Sequence, residues 1–427
     1  MSSEVASNGA APVNGNGHGN GTDNPEWQKL QKLTLLAGII GIGVFAVLGV
    51  VIASASPGGT RQFFTSYLVG WVFWLSLPIG CMGFLGIHYI TGSSWGVLLR
   101  RMFEAATRTL PLMAVLFIPI AVSTFSESAS PYPWSRPVEA LTESQSQEVD
   151  WQAKFDNWLN PKFFALRAVL YFAIWGVTIF FINKWSNKVE ATGDIYARRY
   201  MENFSGPVIF IFALFNMFAA TDFVMSIELN FSSTMFALIY SINQLLTCFT
   251  FGVAVFLTLA TISPLKEILR PKFQIDMGSF MLALCLVWCY MNFSQYMLIW
   301  IANLPEEIPY YLKRTRGGWE YVAYIMLIFH FAMPFVLLLF RDVKLHRGKL
   351  RAMAIFLFCI CALDVIWWLE PATDRASEGL PLFLLMDVAA VVGIGGIWGF
   401  VFLGQLKKYP LLPTQYLSQL PGAHHAH

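Results

Sequence analysis

The sequence predicts an all-α integral membrane protein of about ten transmembrane helices. Three observations lead there. Of 427 residues, 56% are apolar and only 13% charged, too few charges for a soluble chain of this length. Apolar runs of 18 or more residues recur, each long enough to cross a bilayer as a helix. Lysines and arginines fall in short clusters between those runs, where they read as topology signals. The net charge of +2 points to no nucleic-acid partner; the expected neighbour is the lipid bilayer.

In chain order, residues 1–26 are rich in Gly, Asn and Ser and are expected to be a disordered cytoplasmic N-terminus. No basic stretch precedes an early apolar run, so this is not read as a signal peptide. A polytopic membrane domain is expected over 27–405 and a cytoplasmic tail over 406–427. Spans read at 33–55, 63–91, 109–126, 163–183, 206–226, 232–262, 278–303, 319–340, 350–369 and 382–404. The sixth is long enough to tilt or protrude. The polar, acidic connection 127–162 reads as an outer loop that lies on a partner or on the protein itself.

Spans 2–5 and 6–9 read as two related four-helix bundles, with spans 1 and 10 flanking them. Each bundle opens on a long helix followed by a short basic loop, LLRR at 98–101 and ILR at 268–270. Ten crossings put both termini on one side, and 19 of the 28 Lys and Arg residues fall there. The positive-inside rule makes that side the cytoplasm of a bacterial inner membrane. Lys313, Arg314 and Arg316 break the pattern by facing outward. Gly38, Gly41, Gly43, Gly395 and Gly399 read as close helix packing.

The six cysteines all lie inside apolar runs and read as small buried hydrophobes. No haem-attachment motif and no metal-ligand spacing is present. Ionisable groups at membrane depth are costly, so each is a functional hypothesis. They are His88 at the inner end of span 2, Arg167 opening span 4, and Asp222 and Glu228 at the outer end of span 5. His330 follows in mid-span 8, Asp364 in span 9 ahead of Glu370, and Asp387 in span 10.

His88 reads as a proton relay or quinone-carbonyl donor, or as an interfacial histidine bonded to headgroups or loop carbonyls. His330 reads as a relay or a buried structural histidine. Asp364 and Asp387 could share one proton on adjacent helices. Tyr67, His88, Arg167 and Asp222 are the polar groups available to a quinone pocket, although His88 and Asp222 belong to opposite faces. Two histidines at such different depths do not suit a haem b.

"HYITGSSWGVLLRRMFEAATRTLPLM" (88–113), "NPKFFALRAVLYFAIWG" (160–176) and "AATDFVMSIELNFSSTMFALIYSINQ" (219–244) resemble the membrane subunits of alternative complex III. These belong to the wider polysulfide-reductase (NrfD-like) membrane family. The resemblance runs over nearly the whole chain after residue 26 and is nearest to the shorter of that complex's two ten-helix subunits. It implies a subunit of a quinol:electron-acceptor oxidoreductase that holds no redox metal itself. Iron–sulfur clusters, c-type haems and quinol would sit on partners: a longer related membrane subunit, an iron–sulfur protein and multihaem c-type cytochromes.

The family pattern after span 5 is roughly Asp-Trp-x-Met-Ser-Leu-Glu-Pro-x-Trp-Phe-Ser-Thr. Asp222, Met225, Ser226, Glu228, Ser233 and Thr234 match it, whereas Phe223 replaces Trp and Leu229 replaces Pro. Phe231 and Ser232 stand where Trp-Phe is expected. The departures weaken a quinone pocket and leave the carboxylates for protons. The expected share of this chain is architectural support plus a proton path through His88, Asp222, Glu228, His330, Asp364 and Asp387. The alternatives are a secondary transporter with a midplane polar site, or a subunit with its own quinone pocket.

Overall fold

The computed structural model describes residues 25–55, 58–136, 158–260, 269–373 and 380–408. The expected disordered segment and the C-terminal tail therefore lie almost wholly outside the described residues, as does most of loop 127–162. The described residues form thirteen α-helices, short 3₁₀ turns and no strand. Nine helices, or ten crossings if one bent pair is counted as a single span, are long and apolar enough to cross a membrane. The chain is a multi-pass, all-α membrane protein.

The first long helices are α1 (Pro25–Ala55), α2 (Gly59–Thr91), α3 (Ser94–Thr107) and α4 (Leu110–Ser123). Next come α5 (Pro161–Thr192), α6 (Ile195–Phe223), α7 (Thr234–Leu259) and α8 (Pro271–Ala302). A short α9 (Ile308–Arg314) precedes α10, Trp319–Leu339, whose middle section Met326–Ala332 is a π-helical turn. The chain ends with α11 (Arg341–Leu345), α12 (Arg347–Leu369) and α13 (Leu380–Leu406).

Two four-helix rings organise them. In the first, α2, α4, α5 and α6 close on one another; in the second, α7, α8, α10 and α12 do. The rings join where α2 and α6 meet α7 and where α2 meets α12. Helix α2 is buried on nearly every side, so it is apolar all round rather than amphipathic. The flanking pair, α1 and α13, packs antiparallel and lies against α2.

That last contact is set by glycines. A Cβ on Gly38 would stand 2.9 Å from the backbone of Gly396, and one on Gly41 2.6 Å from Gly393. Small residues let two backbones approach where lipid supplies no hydrophobic drive. Of the glycines expected to serve close packing, Gly38 and Gly41 meet Gly396 and Gly393, Gly399 meets Thr34, Gly395 lies under Trp74 of α2, and Gly43 has nothing within 4 Å.

Local signals set the boundaries. Asn160 caps α5 by accepting from Phe163 N–H at 2.8 Å, and Pro161 takes the first helical turn, where no N–H partner is needed. Gly193 ends that helix in the left-handed conformation (φ 64°), and Asp194 at once caps α6. Lys188 holds the half-buried Asp194 carboxyl below the usual carboxylate range.

The third span, expected over 109–126, is a helix over Leu110–Ser123, fourteen residues and too short to cross a bilayer alone. Residues 95–107 and 110–123 form a pair bent by 41°. The basic "loop" LLRR is therefore the first half of a buried helix, with Arg100 and Arg101 inside the protein. In the first loop, Tyr132 and Trp134 are buried, with Tyr132 Oη donating to Phe223 O (3.1 Å) and Trp134 Nε1 to Ser226 Oγ (3.2 Å). The described part of that loop packs on the protein itself.

Candidate functional site

The ends of the two rings carry the same spacing. Asp222 and Glu228 close α6, Asp364 and Glu370 close α12, and each pair is six residues apart. Both helices break at this point into a 3₁₀ turn, Met225–Ile227 and Glu370–Ala372. At 3.6 residues per turn, six residues turn the second carboxylate well away from the first. The first of each pair thus bonds within its own ring, and the second bonds outside it.

In ring one both carboxylates meet fixed cations. Arg167 grips Asp222 in a bidentate pair, Nε to Oδ2 at 2.7 Å and Nη2 to Oδ1 at 2.9 Å. Tyr171 Oη (2.7 Å) and Trp158 Nε1 (3.1 Å) also donate to Asp222. The Arg167 guanidinium lies over the rings of Trp158 and Phe163. Glu228 is bound across the ring boundary by Lys313 (2.9 Å) and Arg314 (3.2 Å). Arg314 is wholly buried and also donates to the carbonyls of Tyr310, Trp367 and Trp368. Burial pushes the Tyr310 phenol up, with the guanidinium stacked on its ring opposing. Of the cations that broke the topology pattern, Arg314 is thus neutralised inside the protein, and the exposed Lys313 pairs with Glu228 from outside.

In ring two the partners can themselves titrate or are neutral. His330 Nδ1 lies 3.2 Å from Asp364 Oδ1, and its ring stacks on Trp288 at 3.8 Å. Trp288 Nε1 (2.8 Å) and Asn243 Nδ2 donate to Asp364 Oδ2. Pro334 explains where the histidine points: its ring would clash with the carbonyl four residues back, which is that of His330. The π-helical turn over Met326–Ala332 relieves the clash and turns His330 inward.

Glu370 accepts from Gln62 Nε2 at 3.0 and 2.8 Å. Asp387 of α13 lies against Glu370 and Ser66, yet neither of its buried oxygens has a hydrogen bond of ordinary geometry. No cation among the described residues forms an ion pair with either carboxyl. Two bare carboxylates at contact range repel by about 4 kcal/mol even at an effective dielectric of 20. They are stable together when they share a proton.

This corrects the expectation that Asp364 and Asp387 form the sharing pair: Asp364 turns into ring two toward His330, while Glu370, a turn and a half further on, reaches Asp387. Glu370 was missed as a site residue, although the repeated Asp-x5-Glu spacing is visible in the sequence. Of the four quinone-pocket candidates only Arg167 and Asp222 meet. Tyr67 Oη donates to Leu116 O at 2.8 Å, Arg167 is spent on Asp222, and His88 lies at the other end of α2. From Ser66 to His88 is 22 residues, about 33 Å along a helix.

His88 is buried and bonded to Ser93 Oγ at 3.2 Å, beneath Gly96, whose Cβ would meet its Nδ1 at 2.1 Å. That end also holds a charge cluster that span reasoning missed. Arg101 donates to Glu104 (2.6 Å), Arg100 and Arg101 reach Glu190 (2.5 and 2.9 Å), and Ser186 donates to Glu104. Among the described residues, no three His, Cys, Asp or Glu side chains converge as a metal-ligand set. No family model matches the chain, and no curated protein matches it.

Proposed function

We propose that this chain is a membrane subunit of a quinol-oxidising electron-transfer complex, holding no redox metal, whose own share is a proton path through its second four-helix ring. The carrying observation is the contrast between rings. Asp222 and Glu228 face arginines, which stay charged at any physiological pH, so they serve as fixed structural pairs. Asp364 faces an imidazole and Glu370 faces another carboxyl, so both sites can exchange protons. The redox setting rests on the resemblance of 88–113, 160–176 and 219–244 to alternative complex III.

In this reading the partners carry the iron–sulfur clusters and c-type haems, and the bacterial inner membrane holds both termini in the cytoplasm. His88 would serve the cytoplasmic mouth. A polar stripe on α7, Asn243, Gln244, Thr247 and Thr250, runs from Asp364 toward that end, with Tyr240 a turn away on the other side of Asn243. Tyr240 Oη and the Gln244 amide are buried beside each other and neither makes a hydrogen bond of ordinary geometry, as relay groups bridged by water would. A transporter reading finds less support: breaks in corresponding helices of the two halves would be expected. Here span 3 is bent, while its counterpart α8 is continuous.

The test has two parts. Mild-detergent purification, with mass spectrometry and a haem and iron assay, should recover c-type haem and an iron–sulfur protein with this chain. In that complex, Glu370→Gln or Asp387→Asn should keep quinol oxidation within about two-fold while lowering protons moved per electron. Purification of the chain alone and cofactor-free defeats the complex assignment; an unchanged proton ratio in both variants defeats the path.

A further inference from the structure

The bend between α3 and α4 opens a groove that the proton path does not use. Its volume is about 690 Å³, and it lies between α4 and α5. That is within the about 300–1,000 Å³ range of small-ligand sites. None of its twelve lining residues is acidic.

The lining is sorted along the helix. On α5, Phe172, Gly176, Ile179 and Phe180 come first, with Leu110, Pro111 and Ala114 of α4 completing the apolar lining. Asn183, Lys184 and Asn187 follow, beside Arg108. Lys184 lies eight residues, about 12 Å, before the end of α5 at Thr192, so the polar half of the groove is the half nearer that helix end. Arg108 is oriented by Asn183 Oδ1 (2.8 Å) and Glu104 (3.7 Å), while Lys184 is exposed above the Phe180 ring. Phe180 and Pro111 are exposed as well, so the groove opens on the outer wall of the bundle.

We propose that this groove binds one anionic phospholipid, its phosphate at Arg108 and Lys184 and an acyl chain along Phe172 to Phe180. A small anion has no use for the apolar half, and an uncharged quinone ring has none for two cations. Basic recesses between membrane helices select acidic headgroups for this reason.

The full chain, in the assembly with which it purifies, is titrated by native mass spectrometry with phosphatidylglycerol, phosphatidylcholine and inorganic phosphate. One phosphatidylglycerol should bind per chain, about ten-fold more tightly than phosphatidylcholine and without competition from phosphate. Gly176 lines the groove, and a Cβ there meets nothing within 4 Å, so Gly176→Phe fills the groove rather than the protein. It should weaken phosphatidylglycerol binding about ten-fold, as should Lys184→Glu, which leaves the helix packing untouched. Gly206→Phe, at an equally open position on α6 outside the groove, should bind as the unaltered protein does. Equal binding of both lipids, displacement by phosphate, a prenylquinone in the groove, or full binding in the Lys184→Glu variant overturns the proposal.

Discussion

Asp222 and Asp364 occupy equivalent places in their rings and are different devices. A bidentate guanidinium and two further donors hold both oxygens of Asp222. Asp222→Asn would leave Arg167 buried without its counter-charge, at a cost of about 3–5 kcal/mol. Thermal unfolding in detergent should show that loss. At Glu370 the expectation is opposite. Glu370→Gln keeps the size and removes a charge that no cation among the described residues balances, so the same measurement should move by about 1 kcal/mol or less. An equal, large loss in both variants would mean that Glu370 has a cationic partner.

At the scale of the element, glycine and proline do the shaping. Gly41 holds α1 against the backbone of Gly393, and a leucine there must push two helices apart. Gly41→Leu should cost about 1–3 kcal/mol as overpacking, whereas Gly43→Leu, with open space around it, should unfold within about 0.5 kcal/mol of the unaltered protein. Comparing their melting curves checks the register of α1 on α13. Pro334 shapes α10 differently: it denies the helix its ordinary hydrogen bond and so turns one histidine inward. Which side chain the interruption aims depends on Asp364 and Trp288 being on the far side.

For the whole molecule, the decisive question is whether the bent α3–α4 pair crosses the bilayer. If it does, ten crossings return both termini to one face. Single-cysteine labels or reporter fusions at the two termini should respond to the same impermeant reagent. Labelling from opposite faces would make the pair a re-entrant element, with Arg100, Arg101 and Glu104 part of a dipping loop. The rings also explain why α2 is so apolar: it is the helix both rings and the flanking pair share, so no face of it meets water or lipid.

The sequence by itself determined the class, the span positions and the grouping into four, four and two. Helix length and apolar content are local properties, and a bilayer leaves the backbone few ways to satisfy its hydrogen bonds. It also yielded the short roll of buried ionisable groups, because such groups are scarce where burial is expensive. Only the tertiary structure decided their pairings. Arg167 with Asp222, Arg314 with Glu228, His330 with Asp364 and Glu370 with Asp387 are 55, 86, 34 and 17 residues apart. Electrostatic pairing depends on distance in space, and packing of apolar surfaces sets that distance with no trace in the charged residues themselves. LLRR shows the limit: four residues that read as a surface loop are buried because Glu104 and Glu190, one of them ninety positions from Arg100, are there to receive them.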